Sequence, residues 1–361
     1  MTTTPEKVSQ QPTRQASKRV SQSVFDGSPL RVVLLVDVYD GAQQQFLEAY
    51  EQLCSQVAST PGHISDQLCQ SIENPSQWLI TSEWESAPPF LAWVNSEEHV
   101  QMVRPLHSCV RDTRSLRFQV VRETGGAVAT AGVADRRLQV SPRIGDGVIR
   151  HALTFTVTPG SEPEVAKILA NYASPETRVD ETTRLVRTSL FMHGNRVVRA
   201  IEVRGDLLVA LRHVARQPEV RAVEEAINPY LEQERDLSDD ESARVFFTRA
   251  ALPAVHHVSL DELPEGERYA LYYPARPGQG LQLAEALARQ DEQAADDPVG
   301  PVLRSTIFQR DDVVVRLIDV RPGLGTDAAL PKPGAPAPLN ALLDGEVVRM
   351  ELITDRRSPD A

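Results

Sequence analysis

Residues able to hold a flat aromatic ligand are concentrated in one short stretch of the chain. All three tryptophans, Trp78, Trp84 and Trp93, lie in the segment WLITSEWESAPPFLAWVNSEEHV at 78–100. An indole presents a flat apolar face and one N–H donor, which suits a flat aromatic ligand. The spacing therefore predicts either a small core built on tryptophans or a cavity in which one indole faces a ligand.

Two histidines follow the tryptophans on one predicted helix. His99 and His107 are eight residues apart, which places them on roughly the same helix face. A histidine can accept or release a proton near neutral pH, so both are candidate bases. The alternative is that they are partly exposed helix histidines without a chemical role.

The elements that must position these residues follow a β-α-β-β-α-β order. RVVLLVDV (31–38) is a β-branched apolar run typical of a buried strand, and the segment up to residue 59 has apolar residues at helical steps. The segments at 63–73 and 76–85 flank the turn signal NPS and predict a hairpin. A helix over 88–111 and a strand over 115–123 complete the ferredoxin-like order. Asp37 and Tyr39 lie at the end of the first strand, where they either supply a polar group or simply end the strand.

The same order occurs twice more, as a duplication. VRTSLFMHGNRVVRAIEV (186–203) aligns without gaps to LRSTIFQRDDVVVRLIDV (303–320) at a fixed offset of 117 residues (304 minus 187). Arg187 and Arg199 thereby match Arg304 and Arg316. Their repetition favours structural ion pairs over a site for an acidic substrate or an acyl-carrier partner. ARVFFTRAAL (243–252) is expected to be the strand that closes the second unit.

These patterns predict an α+β fold of three ferredoxin-like units. The strands are apolar on both sides, so the sheet face opposite the helices needs a partner. We expect units two and three to pair as an α/β-barrel, and unit one to pair with unit one of a second chain in a homodimer, as in dimeric α/β-barrels. The expected divisions are a disordered leader at 1–29, units at 30–123, 148–252 and 267–355, linkers at 124–147 and 253–266, and a tail at 356–361.

Composition excludes several classes of function. The formal net charge of the 361 residues is −12 without a basic block, which argues against nucleic-acid binding. No apolar run approaches the roughly 20 residues of a membrane span. The three cysteines lack metal-ligand spacing and fit a reducing cytoplasm. No nucleotide-binding glycine motif follows a strand and no His/His/carboxylate set is spaced as a metal site, features that a non-catalytic binding module would also lack.

Several segments carry a resemblance to known families. WLITSEWES, FLAWVNSEEHV and PGHISDQL make unit one similar to the antibiotic biosynthesis monooxygenase (ABM) family. RTSLFMHGNRVVRAIEVRGD and RQPEVRAVEEAINPYLE make units two and three resemble SchA/CurD-like proteins of aromatic (type II) polyketide and spore-pigment pathways. The resemblance implies a monooxygenase without metal or flavin that converts an anthrone-like polyketide carbon to a quinone. Dioxygen would be the co-substrate, and polyketide cyclases of the same pathway would be partners.

The resemblance also implies roles for individual residues. Trp84 would line the cavity and hold the aromatic substrate, with His99 and His107 as candidate catalytic bases. The resembling anthrone oxygenases have an asparagine four residues before this tryptophan, where this chain has Ile80. A polar partner must then come from elsewhere, and Asp37 and Tyr39 are the candidates.

The substrate-binding set predicted from the sequence is Asp37, Tyr39, Trp84, Arg187 and Arg199. Two other functions stay open at this point. One is a polyketide cyclase or cyclase helper, since the same cavity could fold a poly-β-ketone. The other is a non-catalytic organiser of the biosynthetic complex.

Overall fold

The computed structural model describes residues 19–121, 145–233, 240–260, 265–297, 299–325 and 338–358. The strands in these ranges are β1 Arg19–Ser23, β2 Leu30–Val38, β3 His63–Gln70, β4 Gln77–Trp84, β5 Val110–Gln119, β6 Val148–Thr156, β7 Arg184–His193, β8 Arg196–Arg204, β9 Ala251–Leu260, β10 Glu267–Pro274, β11 Val302–Arg310, β12 Val313–Val320 and β13 Val348–Arg357. The α-helices are α1 Gln43–Val57, α2 Ala87–Val94, α3 Glu97–His107, α4 Glu162–Ala170, α5 Leu207–Arg216, α6 Pro218–Ile227, α7 Asp240–Ala250, α8 Gly280–Ala294 and α9 Pro338–Leu342.

Unit one is a four-stranded antiparallel sheet in the order β3-β4-β2-β5. Along β2, Leu30 and Val36 are buried whereas Arg31 and Leu35 are exposed, because successive side chains of a strand point to opposite faces. On α1, Phe46 and Leu53 are buried at helical spacing. The helices therefore cover one face of the sheet, and the opposite face, with Leu35, is open.

Units two and three form one closed barrel. The strands run in the order β9-β11-β12-β10-β13-β7-β8-β6, and β9 pairs again with β6 to close the ring. At one seam β13 of unit three pairs with β7 of unit two, and at the other β9 of unit two pairs with β11 of unit three. These ladders confirm the prediction that units two and three pair within the chain.

The interior of the barrel is apolar at its centre. Side chains from all eight strands pack there, among them Phe191, Phe308 and Met350. Phe191 and Phe308 are also matched residues of the duplicated segment, at the offset of 117. The duplication therefore extends from the sequence to the packing of the barrel.

The predicted end of unit two is wrong. Residues up to Ala250 belong to helix α7, and Phe246 and Ala250, one helical turn apart, are both buried. The closing strand is β9, so His256 and His257 lie in the barrel wall and not in a linker at 253–266. Pro253 and the two histidines hid this strand, because proline and polar residues weaken a strand pattern.

The predicted leader and the predicted tail also differ from the structure. Arg19–Ser23, within the expected leader of residues 1–29, forms β1 and pairs with Leu260 to His256 of β9. Its sequence, RVSQS, has no apolar run, so only its ladder of backbone hydrogen bonds reveals a strand. At the other end β13 continues to Arg357, beyond the expected start of the tail at 356.

Candidate functional site

Trp84 is the centre of an aromatic cluster on the helix-covered face of unit one. It ends β4, lies opposite Leu30 and His63 on the neighbouring strands, and is fully buried. Its ring centre lies 5.4 Å from Phe90, 5.4 Å from Trp93 and 5.2 Å from His63. Its Nε1 donates a hydrogen bond to Ser82 Oγ at 3.0 Å. The indole N–H is therefore satisfied within the protein.

His99 joins this cluster through Trp93. Ser96 caps α3 by accepting a hydrogen bond from the His99 backbone N–H at 3.1 Å, which fixes His99 in the first turn. The imidazole meets the Trp93 ring edge-on at 4.3 Å between centres. The structure thus brings together two residues that the sequence nominated separately, Trp84 and His99.

Burial makes His99 a weak base. Burial first, and then the charges of His107, Arg117 and Arg310, lower the pKa of His99 to about 4. The imidazole is neutral at pH 7, and its Nδ1 has no hydrogen-bond partner among the described residues. His107 is half-buried near the end of the same helix and acts on His99 through its charge.

A second imidazole, that of His63, lies beside Trp84 and was not among the residues predicted from the sequence. His63 Nε2 lies 2.9 Å from Asp66 Oδ2, and both side chains are largely buried. The ring N–H is not aligned with the carboxylate as a hydrogen bond, so the contact acts through charge once the ring is protonated. Residues three apart on a regular strand face opposite sides, but a bulge between His63 and Ser65 puts both groups on the helix-covered face. The HISD sequence alone gives no sign of this bulge.

Tyr50 on α1 supplies a phenol near the same carboxylate. Burial, followed by a hydrogen bond with Cys54 and the nearby charge of Asp66, raises the pKa of Tyr50 far above its ordinary value. The phenol therefore keeps its proton at neutral pH. Tyr50, His63, Asp66 and Trp84 together make one face of the candidate site.

Asp37 and Tyr39 lie away from this cluster. Asp37 is seven residues from Leu30 along β2, about 23 Å from the strand end that carries Trp84. Its carboxylate pairs with Arg111 at 3.2 Å, and the same guanidinium lies 5.6 Å from the ring centre of the exposed Tyr39. The structure does not bring either residue to the tryptophan.

Arg187 and Arg199 do not converge on a common ligand. Arg187 is inside the barrel and forms two hydrogen bonds to Asp355, at 2.8 and 2.5 Å. Arg199 lies under the helices on the opposite face of the sheet and binds Glu224 at 3.0 Å. Each arginine is thus held by a carboxylate of the same chain.

Arg187 belongs to a buried charge network at one end of the barrel. Arg268 binds Glu202 at 2.8 Å and Asp319 at 2.6 Å, and Arg187 approaches Asp319 at 3.3 Å, so the network joins units two and three. Cross-strand pairs repeat in both units. The matched triplets are Arg150, Glu202 and Arg187 in unit two, and Arg268, Asp319 and Arg304 in unit three.

The network departs from symmetry at one place. Ser189 and Thr306 are matched by the offset of 117 residues and stand beside matched end strands. Ser189 Oγ donates to Asp355 at 2.8 Å, whereas Thr306 Oγ1 lies 2.9 Å from His257 Nδ1. Burial, with the charges of Arg150 and Arg304, lowers the pKa of His257 well below its ordinary value. An acid and a neutral base therefore occupy equivalent places.

Within the described ranges, no three His, Cys, Asp or Glu side chains are grouped closely enough to hold a metal ion. Cys54, Cys69 and Cys109 are free thiols. No helix among the described residues has the length and apolar character needed to cross a membrane.

Comparison with known proteins identifies relatives of both parts of the chain. Residues 29–105 match the family model described as antibiotic biosynthesis monooxygenase, and residues 148–260 match the SchA/CurD like domain, which ends with the last residue of β9. The chain is 59% identical to Protein SchA of Streptomyces halstedii, over 94% of this chain and 96% of SchA. It is 64% identical to Polyketide synthase CurD of Streptomyces cyaneus, over 87% of this chain and 84% of CurD.

A solved structure is also similar to part of the chain. It is SnoaB, a cofactor-independent oxygenase from Streptomyces nogalater, at 15% identity and a TM-score of 0.25. The match covers 27% of this chain and 96% of SnoaB.

Proposed function

We infer the function of this chain from its family: the chain belongs to the SchA/CurD-like proteins, and its unit one is an ABM domain. We propose that it tailors an aromatic polyketide and that unit one is a monooxygenase without metal or flavin. The proposed reaction converts an anthrone-like CH₂ to a quinone carbonyl. The carbon gives up two hydrogens and four electrons to dioxygen, one oxygen atom stays on the carbon and the other leaves as water.

The observation that supports this site best is Trp84 between two imidazoles. His63 meets its ring directly, and His99 meets it through Trp93. We assign proton removal from the substrate phenol to His63, because the carboxylate of Asp66 beside it stabilises the imidazolium that forms. His99, with its lowered pKa, is the weaker base and serves as a hydrogen-bond acceptor through Nδ1.

Substrate binding requires movement around Trp84. The indole is fully buried, and both of its larger ring partners, Phe90 and Trp93, lie on α2. A flat substrate reaches the indole face only when one of these rings moves aside. The apolar surroundings then exclude water from the phenolate as it reacts with dioxygen.

Oxygen uptake tests the proposal. Purified protein free of metal and flavin is given an anthrone, and oxygen consumption and quinone formation are recorded. Uptake above the rate without enzyme is expected, with a loss of at least 100-fold (order of magnitude) in His63→Gln and a clear loss in Trp84→Phe. Trp78→Phe is the matched control, because Trp78 lies on the same strand but packs on Phe46.

One set of observations favours a different role. The Trp84 N–H is already bonded to Ser82, and Ile80 stands where the resembling oxygenases have an asparagine. A cyclase helper would change the product only when cyclases are present and would consume no oxygen. A non-catalytic organiser would bind pathway enzymes and be indifferent to Trp84→Phe. No uptake above the background rate would therefore move the assignment to one of these two.

We further propose that unit one pairs with unit one of a second copy. Within the described residues, β3 and β5 each pair on one edge only, and Leu35 and Phe118 on the open face are 44% and 51% exposed. In units two and three the corresponding sheet edges are paired, because the last strand of each unit pairs with the second strand of the other. A solution mass of two chains is the expected result, and a strictly monomeric mass at micromolar concentration would contradict it.

A further inference from the structure

A cavity of about 200 Å³ lies at the end of the barrel opposite the charge network. It forms where β6, the start of β8, the β11–β12 hairpin and the junction of α7 with β9 meet. Arg196, Arg249 and Arg310 line it, together with the apolar side chains of Phe155, Phe246 and Leu252. All of these residues belong to units two and three, although the charge of Arg310 also lowers the pKa of His99.

The lining of this cavity is positively charged. Among the described lining residues three arginines face one acid, Asp311, a formal charge of +2 on a chain whose net charge is −12. Arg249 is paired with Glu97 at 2.8 Å, whereas Arg310 approaches Asp311 only at 3.7 Å. A site with excess arginine and partial burial favours an anionic ligand, since guanidinium binds carboxylate and phosphate through paired hydrogen bonds.

Arg196 is the arginine best placed to bind an anion. Among the described residues no carboxylate lies within 4.0 Å of it. Its Nη1 donates to Thr154 Oγ1 at 3.3 Å, and its guanidinium lies 5.5 Å from the ring centre of Tyr272. These contacts orient the guanidinium, and within the described ranges no carboxylate is set against its charge.

The aromatic part of the cavity lining suits a flat ring. Phe155 and Phe246 have ring centres 6.4 Å apart, and Leu252 is fully buried beside them. An apolar cavity of about 150 Å³ is large enough for benzene, so about 200 Å³ accommodates one ring with a small substituent. A polycyclic molecule is larger than this volume.

We propose that this cavity binds a carboxylate attached to a single flat apolar ring, with Arg196 holding the carboxylate and Phe155 and Phe246 holding the ring. The proposal stands independently of the oxygenase assignment, because it uses only residues of units two and three.

Titration calorimetry on the full chain tests it with three probes. Benzoate carries both features, benzamide is a neutral analogue of similar shape, and inorganic phosphate is an anion without a ring. Benzoate is expected to bind one site per chain, and benzamide and phosphate at least tenfold more weakly. Benzamide or phosphate binding as tightly as benzoate would overturn the proposal.

Variants locate the site. Arg196→Gln should weaken benzoate at least tenfold, because a hydrogen bond to a charged group is lost. Arg289→Gln is the matched control, since Arg289 is exposed on α8 and pairs with Glu285 at 3.1 Å. Equal benzoate affinity in wild type and Arg196→Gln would place binding elsewhere and refute the assignment.

A variant that binds benzoate more tightly tests the same site, because misfolding cannot explain a gain in affinity. Asp311→Asn removes the acid that the described lining contains, and Asp311 is exposed with a φ of 49°, a conformation that asparagine tolerates. This variant should bind benzoate severalfold more tightly than wild type. Unchanged or weaker binding would show that the charge of the cavity does not govern the ligand.

Discussion

Neutralising Asp319 should unfold the barrel at a much lower temperature. This carboxylate accepts two hydrogen bonds from Arg268, at 2.6 and 2.9 Å, and one from Arg187 at 3.3 Å, and it is 6% exposed. Burial alone would raise the pKa of Asp319, but Arg268, Arg187 and Arg304 hold it below the ordinary value. Asp319 is therefore ionised and joins arginines of both units.

The expected cost follows from what Asp319→Asn leaves behind. The side chain keeps its volume, but three buried or half-buried guanidinium groups lose a shared counter-charge. Breaking a buried ion pair by removing one partner costs about 3–5 kcal/mol. For a body of roughly 200 residues, each kcal/mol lowers the Tm by about 2–4 °C. The barrel transition should therefore fall by about 6–20 °C.

Differential scanning calorimetry measures this shift. Glu285→Gln is the control, because it breaks an exposed pair on α8 that contributes only about 0.3–0.5 kcal/mol. A Tm drop in Asp319→Asn no larger than in Glu285→Gln would refute the view that this network holds units two and three together.

Two further predictions concern unit one and its surroundings. Burial lowers the pKa values of His99 and His151 to about 4, so the unfolded chain binds these protons first and folding stability should fall as pH drops from about 6.5 toward 4. Urea unfolding of His99→Gln should show a shallower loss between pH 7 and pH 5, and a slope equal to that of wild type would contradict this. Leu35→Lys on the open face should halve the mass seen by light scattering, whereas Leu47→Lys on the exposed side of α1 should not. An unchanged mass for Leu35→Lys would exclude pairing through this face.

The order of elements could be predicted because apolar residues recur at strand and helix spacing, and because the duplicated units repeat the same order. The apolar run of β2 predicted a strand of the sheet, and the matched hairpins of units two and three predicted the barrel. The strands that were missed, β1 and β9, carry polar residues or proline and are stabilised by ladders with distant strands. Such pairing depends on tertiary contacts that no local pattern contains.

The sequence nominated Trp84 through the family resemblance and His99 through its helical spacing from His107, and the structure places Trp84 and His99 in one aromatic cluster. His63 and Asp66 depend on a one-residue bulge, which moves a side chain to the other face without a sequence signal. Asp37 was nominated because it ends a strand, but the sequence did not reveal that Trp84 belongs to the opposite end of the sheet.

Asp355 and His257 occupy matched positions in the two halves of the barrel but differ in chemistry. This difference bears on how the sequences of the two halves can diverge. In a barrel made from two identical chains, every substitution appears twice, so an acid and an imidazole can never occupy equivalent places. Here both halves belong to one polypeptide, and each position mutates alone. Because the two halves are joined in one chain, one end of the barrel can be chemically asymmetric, with an acid in one half and an imidazole in the other. Unit three meanwhile keeps its buried ion pair between Arg268 and Asp319.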